Sequence, residues 1–312
     1  MNAKRRRRSL SSRAGPLAIP AGLEWWRSEP GGGEWLDSLR ALVADCSDRW
    51  QLRTGPPYQP ASISLVVPAE RADGTPAVLK ISFPEPESEH EGAALAHWDG
   101  RGAVRLLAQD PERRALLIER CTPGDQLWAV QDDDDVTAAA ATVMSRLWRP
   151  PPIDHPFRLL ANEAASWAVE LPSRWAGQGR PFERRLVDDA VAACLELGGS
   201  QGESVVLHQD LHAGNILRAA REPWLAIDPK PLVGERPFDA AALLRDRLSG
   251  LAEPNARMLV RRRLDILVER LGLDRERTRR WGIAHALAWG VSGSKVYPDM
   301  IVAAQSLVQI GR

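Results

Sequence analysis

The 312-residue sequence predicts an α+β chain of two lobes, a small antiparallel-sheet N-lobe over residues 16–120 and a mostly helical C-lobe over residues 121–312. Three observations predict it. Two pairs of β-rich runs, each joined by a turn, lie within the first lobe. From "CTPGD" onward the apolar residues recur at helical spacing. A single stretch interrupts those helices, "VVLHQDLHAGNILRAAREPWLAIDPKP", Val205 to Pro231. It sets aspartates, an asparagine and histidines between short apolar runs.

The elements follow in order. "IPAGLEWWRSEPGGGEW" reads as an ordered but irregular lead-in. Glu34 to Leu52 carries apolar residues at helical spacing, and "RTGPPYQPA" ends that helix. "SISLVVPAERADGTPAVLKIS" is a hairpin turning at Asp73-Gly74. "PESEHEGAALAHWDG" is a helix closed by Gly100, and "GAVRLLAQDPERRALLIER" is a second strand pair joined by "DPER". In the C-lobe, helices are expected over 132–147, 157–176 and 182–197. Short strands "SVVL", "NILR" and "WLAI" come next. Helices resume over 240–251, 256–271, 275–289 and 299–308.

Hydrophobic residues make up 44% and charged residues 26%, the composition of a globular protein with a sizeable core. Basic and acidic residues balance at 41 each, which argues against a nucleic-acid partner. The local exception is "KRRRR", Lys4 to Arg8, read as part of a disordered basic tail over residues 1–15. No apolar run is long enough for a membrane helix, and "PLAIP" is too short for a secretory signal. Cys46, Cys121 and Cys194 are odd in number and far apart, so the cytoplasm is the expected compartment.

The interrupting stretch carries the chemistry. If "NILR" and "WLAI" pair as a hairpin, Asn215 and Asp228 reach the same end of it. Their oxygens then suit Mg²⁺, which keeps its other positions for water and phosphate. Asp210, upstream, is left to orient a hydroxyl. That is the division of labour in phosphoryl transfer from ATP. Any one of the three alone would read as a turn cap; the three together, flanked by strands, read as a site. His208 and His212 are four apart, but Gly214 and a β-run follow, so a helical zinc motif is not formed. Lysine is scarce. Lys80, at the end of "AVLK", is the one in the N-lobe, and Glu85, Glu87, Glu89 and Glu91 follow it. A strand lysine paired with a helix glutamate holds phosphates in kinase-type sites, and Glu91 is the favoured partner, with Glu87 next.

The ordered series "IPAGLEWWRS", "DGTPAVLK", "HEGAALAHWDGRGAVRLL", "ALLIERCTPG", "HQDLHAGNIL" and "WLAIDPKPLVGERPFDAAALLR" resembles the aminoglycoside and hydroxyurea antibiotic resistance kinases, the group that includes streptomycin 6-phosphotransferase. The resemblance implies a protein-kinase-like fold, with ATP and Mg²⁺ as cofactors. It implies Asp210 as the base or hydroxyl-positioning group, and Asn215 and Asp228 as metal ligands. Lys80 would bind phosphate with Glu91 as its partner. Backbone groups at Glu119 and Cys121, in the "LIERC" hinge, would bond adenine. His212 falls where protein kinases carry a lysine near the transferring phosphoryl group, so it either donates there or braces the loop. Asp239 matches the aspartate that ties the helical lobe to the catalytic loop. The sequence departs from the family in its nucleotide-covering turn, "YQPASISLVV", which has no glycine.

The acceptor implied is a polycationic aminoglycoside, streptomycin-like, whose phosphorylation inactivates the antibiotic. Its binding candidates are Asp132 to Asp135, Glu163, Glu170, Trp281, Trp289 and Asp299, although the acidic run also suits a helix start and tryptophans at helical spacing suit a core. The competing expectations are a kinase for hydroxyurea or another small hydroxyl metabolite, and a nucleotide-binding protein without turnover. A protein kinase fits less well, because neither "FG" after Asp228 nor "APE" is present.

Overall fold

The computed structural model describes residues 17–292 and 295–311. The basic run Lys4 to Arg8, and with it the tail expected over 1–15, lies outside the described residues. The chain divides into two compact units. One runs up to Glu85 and adds Leu106–Arg120; the other takes Pro86–Arg105 and everything from Cys121. The sequence placed 86–105 in the first lobe, whereas this segment packs with the second unit.

In the first unit, α1 (Gly32–Trp50) buries Trp35, Leu36, Leu39, Val43 and Cys46, a stripe at three- and four-residue spacing. It ends where Gln51 turns left-handed (φ 54°). Three residues the sequence assigned to the helix end and its breaker then form a short strand, β1 (Leu52–Thr54). It joins β2 (Ser64–Arg71), β3 (Pro76–Ser82), β4 (Leu106–Asp110) and β5 (Ala115–Glu119) in an antiparallel sheet of order β1-β2-β3-β5-β4. The β2–β3 turn is set by Asp73, whose Oδ1 accepts the Thr75 N–H at 2.9 Å, and by Gly74 at φ 86°. The stripe of α1 packs on Leu65, Val67, Leu79, Ile81 and Leu117 of the sheet. Each such buried side chain contributes about 2 kcal/mol.

The lead-in is more regular than its composition suggested. Ala21–Ser28 is a 3₁₀ helix that inserts Leu23 and Trp26 into this core. Its indoles also reach the glycine-free turn: Trp25 Nε1 donates to the Ser62 carbonyl at 2.6 Å and Trp26 Nε1 to the Ile63 carbonyl at 3.0 Å.

The second unit is mainly helical: α2 (Glu91–Trp98), α3 (Asp133–Leu147), α4 (Leu160–Gly177), α5 (Arg184–Gly198), the short α6 (Arg236–Asp239) and α7 (Ala241–Leu244), then α8 (Glu253–Leu271), α9 (Arg275–Gly290) and α10 (Pro298–Ile310). Almost every residue of α9 from Thr278 to Ala288 is buried, which makes it the central helix of the unit. The single helix expected over 240–251 is instead the one turn of α7, ending at Leu244, with α6 just before it. Between them and the loop lies an unexpected strand. β6 (Arg158–Leu159), β7 (Ser204–Leu207) and β10 (Leu232–Glu235) form a small sheet, with β10 central. β8 (Ile216–Arg218) and β9 (Trp224–Ala226) pair as the hairpin the sequence implied; β11 (Val291–Ser292) and β12 (Lys295–Val296) close a last short pair.

Candidate active site

β7 leads into a loop, His208 to Asn215, that lies outside the strand ladders, so its amides need other acceptors. Two buried aspartates supply them. Asp239 Oδ1 accepts the N–H groups of His208 (3.0 Å) and Gln209 (2.8 Å), and its Oδ2 accepts the Trp148 indole N–H (3.0 Å). Burial pushes the Asp239 carboxyl up, and these three donors oppose that rise. Asp246 accepts the Ala213 N–H (2.9 Å) and the Trp128 indole N–H (3.0 Å). The tying role that the resemblance implies for Asp239 thus has a direct geometric counterpart. Asp246 and Trp128 had no counterpart in the sequence reading.

Within this frame the backbone is tightly folded. Gln209 (φ 67°) and Asp228 (φ 58°) both adopt left-handed backbone, which costs energy for residues with a side chain. His208 is fully buried and faces inward. Its Nε2 donates to the Ile227 carbonyl at 2.9 Å, and burial lowers its pKa. Asn215 Nδ2 donates to the Asp210 carbonyl at 3.0 Å. The hairpin extends one step beyond its strands through the Ile227 N–H, which donates to the Asn215 carbonyl at 2.9 Å. That contact sets Asp228 one residue beyond the partner of Asn215, so the loop and hairpin gather Asp210, His212, Asn215 and Asp228 in one region.

His212 is held from two sides. Its Nδ1 accepts the Gly214 N–H at 3.1 Å, which leaves the proton on Nε2, and Nε2 lies 3.9 Å from Asp210 Oδ2. Trp128 stacks on the ring at 5.4 Å. A Cβ on Gly214 would come within 2.8 Å of the His212 ring and 3.0 Å of Trp128, so the glycine is what lets these two rings close over the loop.

Asp210 has a partner that the sequence did not suggest. Arg245 Nη2 lies 2.7 Å from Asp210 Oδ1, and 8% of the Arg245 side chain is exposed. Arg245 stands 4.8 Å over the Trp289 ring, and its Nε donates to His285 Nδ1 at 3.3 Å. Arg245 falls within the helix expected over 240–251, and no local period in the sequence marks it.

The remaining expected residues lie as follows. Lys80 sits mid-sheet in the first unit, opposite Val66 and Leu116, and is 6% exposed. A lysine so enclosed keeps its charge only beside anions or strong acceptors. Glu119 ends β5 opposite Ala77 in the same unit. Glu91 begins α2 in the second unit and is buried, and Cys121 follows the boundary, half-buried. Lys230, two residues past Asp228, pairs with Glu87 at 3.2 Å.

Among the acceptor candidates, Asp132 caps α3, Asp133 pairs with Arg263 (2.6 Å) and Asp134 with Arg262 (2.6 Å), so this part of the acidic run serves the helix and its packing. Trp281 is fully buried and donates to Glu235 (2.6 Å). Glu163 pairs with Arg158, Glu170 with Arg174, and burial raises the Glu163 pKa. Asp299 lies in the first turn of α10, half-buried, and Trp289 is half-buried beside Arg245.

The fold and the loop define a small-molecule kinase of the protein-kinase-like class. The chain belongs to the aminoglycoside/hydroxyurea antibiotic resistance kinase family, whose model matches residues 49–296. It is 38% identical to the streptomycin 6-kinase of Streptomyces griseus, over 94% of this chain and 98% of that protein. It is equally 38% identical to the hydroxyurea phosphotransferase of Kitasatospora aureofaciens, over 90% of this chain and 82% of that protein. Among solved structures, it resembles a putative fructosamine-3-kinase from Thermobifida fusca (18% identity, TM-score 0.56, 85% of this chain and 98% of that one). An aminoglycoside-3'-phosphotransferase of type VIII is similar too (18%, TM-score 0.52, 78% and 97%). These two share the fold. Membership of a kinase family implies use of ATP. No described helix is long and apolar enough to cross a membrane.

Proposed function

We propose that this chain transfers the γ-phosphoryl group of ATP to a hydroxyl of streptomycin or a close aminoglycoside, and so inactivates the drug in the cytoplasm. The observation that carries the reading is the near full-length match to a streptomycin 6-kinase, at 38% identity. The hydroxyurea phosphotransferase match favours hydroxyurea as the second acceptor to try.

In this reading the first unit supplies Lys80 and Glu119 to the nucleotide, and the second supplies Glu91, Cys121 and the groups that act on the acceptor. Asp210 Oδ2 orients the acceptor hydroxyl and takes its proton as the oxygen attacks phosphorus. Oδ1 is committed to Arg245, so a single oxygen of the carboxylate faces the reaction. His212 offers its Nε2–H beside that oxygen, toward the transferring group. Lys80, with Glu91, binds the phosphates, and backbone groups of Glu119 and Cys121 bond adenine. Asn215 and Asp228 fit a hard cation. The Asn215 amide nitrogen is spent on the Asp210 carbonyl, which leaves its oxygen as the ligand atom. When bound, Mg²⁺ supplies charge neutralisation to the phosphates.

The test is ATP consumption with Mg²⁺ in the presence of streptomycin, other aminoglycosides and hydroxyurea, with Asp210→Ala as the blank. Streptomycin-dependent turnover that the variant lacks supports the reading. Turnover with hydroxyurea alone moves the acceptor. Tight ATP binding with no turnover on any acceptor favours the nucleotide-binding protein without catalysis.

A further inference from the structure

We propose that His285, on α9, is a positioning residue for the reaction. It holds the Arg245 guanidinium so that Arg245 presents Asp210 in one orientation. The proposal rests on the reading of Asp210 as the base.

His285 is fully buried, in a box of Trp167, Phe238 and Trp289 at ring distances of 5.9, 5.5 and 5.0 Å. Both its nitrogens reach the catalytic loop, one directly and one through a side chain. A carbonyl only accepts, so Nε2 carries the proton and donates to the Gln209 carbonyl at 3.1 Å. Nδ1 is then the lone-pair nitrogen and accepts the Arg245 Nε–H at 3.3 Å. Arg245 Nη2 continues to Asp210 Oδ1 at 2.7 Å. The ring therefore grips the residue before the base by its backbone, and the base itself through a guanidinium. An arginine fork fixed at Nε presents Nη2 at one angle, which a lysine point charge would not. Burial and the adjacent guanidinium both hold the ring neutral, as this pair of contacts requires. A neutral ring has one donor and one acceptor; here the donor is spent on the loop and the acceptor on the cation, so the ring links helix, cation and loop in series.

The two arms separate by substitution. Asparagine puts an amide oxygen near Nδ1 and keeps the Arg245 contact. Glutamine puts its amide nearer Nε2 and keeps the Gln209 contact. His285→Gln is expected to lower kcat for streptomycin phosphorylation about tenfold or more, with the ATP KM changed less than about twofold; His285→Asn is expected to stay within about threefold of wild type. Proton–nitrogen NMR of the Arg245 Nε–H reads the same arm without any acceptor. Slow exchange is expected in wild type and His285→Asn, and fast exchange in His285→Gln. A folded His285→Gln with wild-type kcat and a protected Nε–H overturns the proposal. If that variant does not fold, Arg245→Gln replaces it, and wild-type kcat in a folded Arg245→Gln is equally fatal. Asp210→Ala is measured alongside. Turnover in that variant removes the base assignment and the proposal with it; an inactive Asp210→Ala beside a fully active His285→Gln removes the proposal alone.

Discussion

Asp210 and Arg245 form an ion pair at 2.7 Å that is almost closed to solvent, with side chains 11% and 8% exposed. A cation this close spends one of the two carboxylate oxygens. It also makes the pair sensitive to the loss of either member, because the survivor is left enclosed without its counter-charge.

Asp210→Asn keeps the size of the side chain and removes both the charge and the proton acceptor. Transfer is expected to fall about 10²- to 10⁴-fold. ATP affinity, measured by calorimetry, is expected to hold. An unchanged transfer rate in a folded variant would remove Asp210 from the mechanism.

Asp239→Ala strips the acceptor from the His208 and Gln209 amides and the Trp148 indole. Buried donors left without partners cost about 1–3 kcal/mol each. Urea unfolding is expected to show a loss of about 3 kcal/mol or more, with activity lost as the loop relaxes. A stability within 0.5 kcal/mol of wild type, on the scale of surface changes, would mean that other groups hold the loop.

Gly214→Ala forces a methyl between His212 and Trp128. Overpacking of this kind costs about 1–3 kcal/mol. The ring of His212 must move, so kcat is expected to drop while ATP binding persists. Crystallography of the variant checks whether the Trp128–His212 stack has opened.

Trp26→Phe deletes the indole N–H that meets the Ile63 carbonyl, at a cost of about 1 kcal/mol. In a turn without glycine, this brace and its neighbour from Trp25 take the place of backbone flexibility in setting the turn's position. The ATP KM is expected to rise several-fold and the acceptor KM to stay. Equal rises in both would point to general destabilisation instead.

His285 makes a contribution to the pH dependence of stability whose sign follows from its burial. Its folded pKa is well below the ordinary value of 6.5. Below pH 6.5 the unfolded chain takes up a proton that the folded chain refuses. The stability from the neutral buried ring is therefore complete above about pH 6.5 and is lost as pH falls toward the folded pKa, by about 1.4 kcal/mol per pH unit. Unfolding midpoints of wild type and His285→Gln at pH 7.5 and 5.5 test it: the variant's fall over that interval is expected to be smaller.

The local parts of this protein were legible in its sequence because they depend on neighbours along the chain. Asp73-Gly74 marks a hairpin through its own backbone demands. The stripe from Trp35 to Cys46 is a helical period. Asn215 and Asp228 come to the same end of a hairpin because "NILR" and "WLAI", close in the chain, pair. β10 escaped notice because "LVGE" is short and bounded by proline and charge, and its pairing with β7 and with β6 comes from distant chain. α2 was read with the sheet that precedes it, yet it groups with the second unit, where Trp98 stacks on His208 and the His97 carbonyl accepts from Arg149.

The sequence by itself determined which polar groups gather at the loop and hairpin, Asp210, His212, Asn215 and then Asp228, since short spacing brings them into one region. Only the tertiary structure decided what holds them. Arg245 is 35 residues from Asp210, and His285 is 76 from the Gln209 carbonyl it meets. No local period encodes such separations. They are settled when α9 is buried on all sides and the few polar groups that go in with it must find partners.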